Sequence, residues 1–185
     1  MKKIVWIFIL VTLFACTQKE NTPMVEQEIT FDQKMHHYMG IEMNIQTWNL
    51  LSNEDRTPQD EIRMIFFAHA SLYHWLLSPE FKPVNEQRGE WLISRVYAVL
   101  GKGELALKHA EKCLALTEEH GFVDFDRAYA YEVMARAYAA LGNNEQAKKY
   151  YDLAVQAGKE IKNEEDKKYF ASDLSNPPWF DMIER

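Results

Sequence analysis

Six histidines and two cysteines are the side chains of this 185-residue chain most suited to holding a metal or attacking a bond. Their spacing argues against both. His36 and His37 are adjacent, which on a helix turns them about 100° apart and makes a poor chelate. His69 and His74 are five apart, off the one-turn spacing that puts two ligands on one face. His109 and Cys113 do sit one turn apart, but the sequence offers no His-Glu-x-x-His, no Cys-x-x-Cys and no pair of carboxylate-rich helices to complete a site. Nucleophilic catalysis lacks its usual scaffolding too. There is no Gly-x-Ser-x-Gly turn and no glycine-rich phosphate loop. The chain therefore reads as non-enzymatic, with no metal and no cofactor expected.

Composition narrows the partners. Hydrophobic residues make up 47% of the chain and aromatics 13%, enough to bury one core. The formal charge is −7, and it would become −9 without residues 1–15, which hold Lys2 and Lys3 and no acid. Phosphate binding needs an accumulated positive face, so nucleic acid is an unsuitable partner.

The elements that must position any site come from an internal repeat. Shifting the chain by 41 residues lays Arg95, Tyr97, Ala98, Leu100, Gly101, Glu104, Ala106 and Lys108 on Arg136, Tyr138, Ala139, Leu141, Gly142, Glu145, Ala147 and Lys149. An aromatic four residues before a glycine, with a small residue five beyond it, is the signature of two antiparallel helices joined by a tight turn. The first copy predicts helices over 86–100 and 104–120, with Gly121 ending the second in a left-handed cap. In the second copy a helix capped by Asp124 or Asp126 runs to 141, and another runs to about 161. Upstream, Thr30 caps a helix over 31–51 and Thr57-Pro58 opens a second, while 80–85 reads as a loop. Downstream, 164–174 forms a short closing helix stopped by Asn176-Pro177-Pro178. The expected fold is all-α: antiparallel hairpins stacked as a short array over 30–175, about six main helices plus a short C-terminal capping helix. A tail over 176–185 follows, with Pro177-Pro178-Trp179-Phe180 clasping the last hairpin.

The repeat resembles the tetratricopeptide family. Ala135, Tyr138, Gly142, Ala147, Tyr151 and Ala154 occupy that family's small and aromatic places in the second copy, and Tyr97, Gly101, Ala106 and Cys113 do so in the first. The stretch 88–97 is also similar to one shared by a group of small bacterial helical proteins, a likeness that bears on the fold alone. The tetratricopeptide resemblance makes Cys113 a core thiol. It also implies that the first helix of each hairpin lines a concave groove, with Arg88, Trp91 and Arg95 from one copy and Tyr129, Glu132 and Arg136 from the other as groove residues. Arginine forks and flat aromatics suit a peptide or C-terminal carboxylate, so a peptide or protein partner is expected. The bland alternative is that Glu132 and Arg136 pair along their own helix and Trp91 packs into the neighbouring hairpin.

The N-terminus adds a location. Residues 1–15 have a positive start and an apolar run from Ile4 to Phe14, the form of a secretory signal. Leu13-Phe14-Ala15-Cys16 resembles the lipobox of bacterial lipoproteins, which implies lipidation at Cys16, a polar tether over 16–29, and a domain held at the membrane of the cell envelope outside the cytoplasm. A second function class is a small-ligand protein or hydrolase with a closed helical pocket near His69, His74, Trp91 and His109.

Overall fold

A computed structural model describes residues 30–182. The expected leader, Cys16 and the tether lie outside the described residues, as do the last three residues of the tail. Among the described residues the chain is all-helical: α1 (Phe31–Leu51), α2 (Pro58–Leu76), α3 (Pro83–Val99), α4 (Gly103–Glu119), α5 (Phe125–Ala140), α6 (Asn144–Lys159), α7 (Glu164–Ser175) and a closing 3-10 turn, Phe180–Met182. Each helix packs on the next, and α5 also touches α3 and α7. The odd-numbered helices form one layer and the even-numbered ones cover it, as in a helical repeat array.

Local chemistry accounts for the boundaries. Thr30 and Thr57 each accept from the backbone N–H three residues on, in capping boxes completed by Gln33 and Asp60. The two copies of the repeat end their first helices identically. Gly101 N–H reaches the Ala98 carbonyl and Lys102 N–H the Tyr97 carbonyl; 41 residues later Gly142 and Asn143 do the same to Ala139 and Tyr138. This paired closure needs a left-handed residue, and Gly101 and Gly142 supply it at φ 66° and 75°. Packing repeats as well. Tyr97 stacks on His109 and Tyr138 on Tyr150, each with ring centroids 5.7 Å apart.

Three expectations needed correction. Helix α3 starts at Pro83 rather than 86, because proline's missing N–H is an orphan in a first turn and Asn85 accepts the Lys82 N–H. Asp124 stands at the α5 N-cap but caps nothing; its carboxylate instead takes the Lys162 N–H from the α6–α7 connection. In the tail, Trp179 is buried against Tyr151 while Phe180 is exposed, so only one of the two aromatics joins the clasp.

The core is built on small residues around α5. Ala128, Ala130, Ala135, Ala137 and Ala139 are all buried, which lets α3, α4 and α6 approach the α5 backbone closely. Cys113 is wholly buried within this core, and burial pushes its thiol far above the ordinary value.

Candidate functional site

The odd-numbered helices enclose a cavity of about 210 Å³ on the exposed side of their layer. Helix α1 contributes Asn44 and Trp48, α3 Gln87, Arg88 and Trp91, α5 Phe125, Asp126 and Tyr129, and α7 Asp173. A neighbouring hollow of about 300 Å³ continues between Ile41 and Ile45 of α1 and Trp75 of α2, and the two share Asn44 and Arg88. Together they make a trough along the first-helix layer.

Three of the six groove residues expected from sequence line this cavity: Arg88, Trp91 and Tyr129. The other three do not. Arg95, Glu132 and Arg136 are buried beneath it, 6%, 0% and 1% exposed. Glu132 accepts from Trp91 Nε1 at 3.0 Å and from both arginines, pairing with Arg95 Nη1 and Arg136 Nε through one oxygen. Arg136 is further fixed by the carbonyls of Asp173, Asn176 and Pro178 and by the Trp179 ring, 4.0 Å from its guanidinium carbon. The i,i+4 pairing of Glu132 with Arg136 therefore exists, inside the protein rather than on its surface. Trp91 meets the first hairpin through Trp48, with centroids 5.7 Å apart.

Electrostatics in this floor are self-contained. Burial works to raise the Glu132 carboxyl, but Arg136 and Arg95 outweigh it and hold it below the usual carboxylate range. Burial also pushes the Arg136 guanidinium down to about 10, so it stays charged at neutral pH against Glu132. Tyr129 donates to Asp173 at 2.7 Å, and burial first, then that bond, drives its phenol well above the ordinary value. Arg88 closes the rim, binding Asp126 through Nε at 2.7 Å and Nη2 at 3.2 Å, and it is more than half exposed.

The residues proposed for a closed pocket do not come together. His69 and His109 meet beside Tyr97, with ring centroids 5.5 Å apart. His74 instead faces His36, Nδ1 to Nδ1 at 2.8 Å, and Trp91 belongs to the trough on another face of α3. His69 is partly exposed and bonds the Tyr97 hydroxyl at 3.1 Å. Glu90, buried, takes His109 Nδ1 at 2.6 Å and Lys112 Nζ at 2.8 Å. Burial works against its ionisation, yet these two donors hold its carboxyl below the ordinary value. Among the described residues no group of three or more His, Cys, Asp or Glu is placed to hold a metal ion.

These groups make stability pH-dependent. Burial, then His109 and His36 respectively, hold the His69 and His74 imidazoles below the ordinary 6.5. On acidification the unfolded chain takes up those protons first, so the stability present above about pH 6.5 is lost as pH falls through the lower folded values. The lowered carboxyls of Glu90 and Glu132 have the same sign and act further down, below their ordinary 4.5. The thermal midpoint should fall in two stages between pH 7 and 3. In a His69→Asn, His74→Asn variant followed by circular dichroism, the upper stage should flatten.

Sequence reasoning missed Asn44, Trp48, Gln87, Phe125, Asp126 and Asp173 as wall residues. Trp48 carried a signal, an aromatic at helical spacing at the end of α1; Asp173 carried none. Comparison with protein-family models, curated proteins and solved structures finds no match to this chain. No helix among the described residues is long and apolar enough to cross a membrane.

Proposed function

We propose that the protein is a membrane-anchored helical-repeat adaptor that binds a peptide or protein partner along the trough formed by α1, α3, α5 and α7. The observation that carries this reading is the trough itself: two adjoining hollows lined by aromatic and charged side chains from five helices, α2 adding Trp75. Rigid aromatics give contact area at low entropy cost, and charged groups at the rim set register. Beneath them Arg95, Glu132 and Arg136 act as the floor that holds the wall in place rather than as contacts. The lipobox-like Leu13-Phe14-Ala15-Cys16 supports attachment to the cell envelope through lipid at Cys16.

The test is capture from detergent-solubilised membranes with the intact protein and an Asn44→Trp variant. Asn44 is shared by both hollows and only partly buried, so a bulky side chain there fills the trough without entering the core. A partner retained by the intact protein and reduced about tenfold or more in the variant is the expected result. Equal capture by both would place binding elsewhere.

A further inference from the structure

We infer that the cavity between Trp48, Trp91, Phe125 and Tyr129 takes a primary alkylammonium group, either the end of a lysine side chain or a free aliphatic amine. The inference rests on the reading of the trough as the binding face and names the chemistry it selects.

Among the described lining residues, the buried polar side-chain atom left without a partner is an acceptor. Gln87, 1% exposed, gives its amide nitrogen to Thr117 Oγ1 at 3.1 Å and to the Asp126 carbonyl at 3.2 Å. That orientation is fixed, because a carbonyl can only accept and the Thr117 hydroxyl already donates to Cys113 O. Gln87 Oε1 is left buried without a partner, an arrangement that costs free energy until a donor arrives. The Asp126 and Asp173 carboxylates also line the cavity and have lone pairs beyond those used by Arg88 and Tyr129. An ammonium carries three donors and no acceptor, which suits a lining that offers two carboxylates and an unpartnered amide oxygen.

The walls suit a cation as well. Four aromatic side chains surround the space, and ring faces attract positive charge. Arg88 already demonstrates it: its guanidinium carbon lies 5.8 Å from the Phe125 centroid while its nitrogens hold Asp126. Charge balance points the same way. Arg88, Arg95 and Arg136 stand against Asp126, Glu132 and Asp173, so a cation that displaces the exposed Arg88 side chain leaves the site neutral. A carboxylate ligand would instead add a fourth anion among three and strand Asp126. At about 210 Å³ the space holds one side chain or one small amine.

The experiment titrates the full chain, in a non-ionic detergent, with n-butylammonium, butyrate, a Gly-Gly-Lys-Gly-Gly peptide blocked at both ends, and its acetyl-lysine counterpart. Isothermal calorimetry reads affinity, and the indole N–H resonances of Trp48 and Trp91 report the site. Butylammonium should bind and butyrate should not. Arg88→Ala, which removes the competing internal cation, should tighten amine binding, whereas Asp126→Asn should weaken it about tenfold or more. Weaker amine binding in Arg88→Ala, or preference for butyrate, overturns the inference. If both peptides bind equally, the trough binds peptides but the ammonium inference fails. If the free amine binds and the lysine peptide does not, the ammonium site stands and the adaptor reading fails. Binding of none overturns both.

Discussion

Replacing Glu132 by Gln should destabilise the protein by about 3–5 kcal/mol, the cost of removing one partner from a buried ion pair. Among the described residues the carboxylate is the only anion in direct contact with both Arg95 and Arg136, and all three are at least nine-tenths buried. A neutral amide leaves two guanidinium groups out of water with like charge close by. It also turns an NH₂ toward donors or forfeits the Trp91 indole bond, since one oxygen cannot serve both arginines and the indole as two do now. Domains of this size are stable by about 5–15 kcal/mol, so roughly a fifth or more of the total is at stake. Urea unfolding should show the midpoint falling with little change in slope. By contrast Arg88→Ala removes a half-exposed pair worth about 0–1 kcal/mol and should scarcely move it. A Glu132→Gln protein as stable as Arg88→Ala would mean that the floor is not the support described here.

Phe170→Ala should release the C-terminal end of the array. Phe170 is 2% exposed, edge-on to Tyr129 with centroids 4.9 Å apart, and so close over Gly158 that a Cβ added there would sit 2.4 Å from its ring. Burying a phenylalanine against a glycine and an aromatic face is what docks α7. Truncation to alanine in a core costs about 3–5 kcal/mol. At the end of an array that loss is met by local rather than global opening. Amide exchange across α7 should therefore rise by orders of magnitude while α3 to α5 stay protected. With α7 goes Asp173, so Tyr129 loses its acceptor and the trough loses its far wall. Uniformly faster exchange in every helix would instead show that α7 is an integral part of one cooperative unit.

The two largest effects fall on residues of unequal legibility. The helices were readable because each carries its own start and stop: Thr30, Thr57-Pro58, Gly101, Gly121 and Gly142 act within a few residues of themselves. The 41-residue identity then fixed that two hairpins are alike, and their matched closures follow. Pairing of Glu132 with Arg136 was also readable, being one turn along one helix. What spacing along the chain does not encode is how far a helix face is covered once its neighbours pack. Arg95 and Glu132 were assigned to a groove by their positions in the repeat, and the close approach permitted by alanines on α5 buries them. The trough wall was harder still. It draws Trp48 from a hairpin without the repeat pattern and Asp173 from a helix beyond the last copy, so only the folded arrangement brings them together.

Arg136 has a consequence for how the chain is made. Its three carbonyl acceptors lie 37, 40 and 42 residues further along the chain. A ribosome has therefore threaded α6 and α7 before Arg136, in the second half of α5, can reach all of its partners. Until then Arg136 has its Glu132 pairing along α5 but none of its carbonyl partners and no Trp179 ring over it. The array's middle is completed by its end, so a chain stopped after α6 would lack the three carbonyls that hold Arg136 and would keep Glu132 as its charged partner.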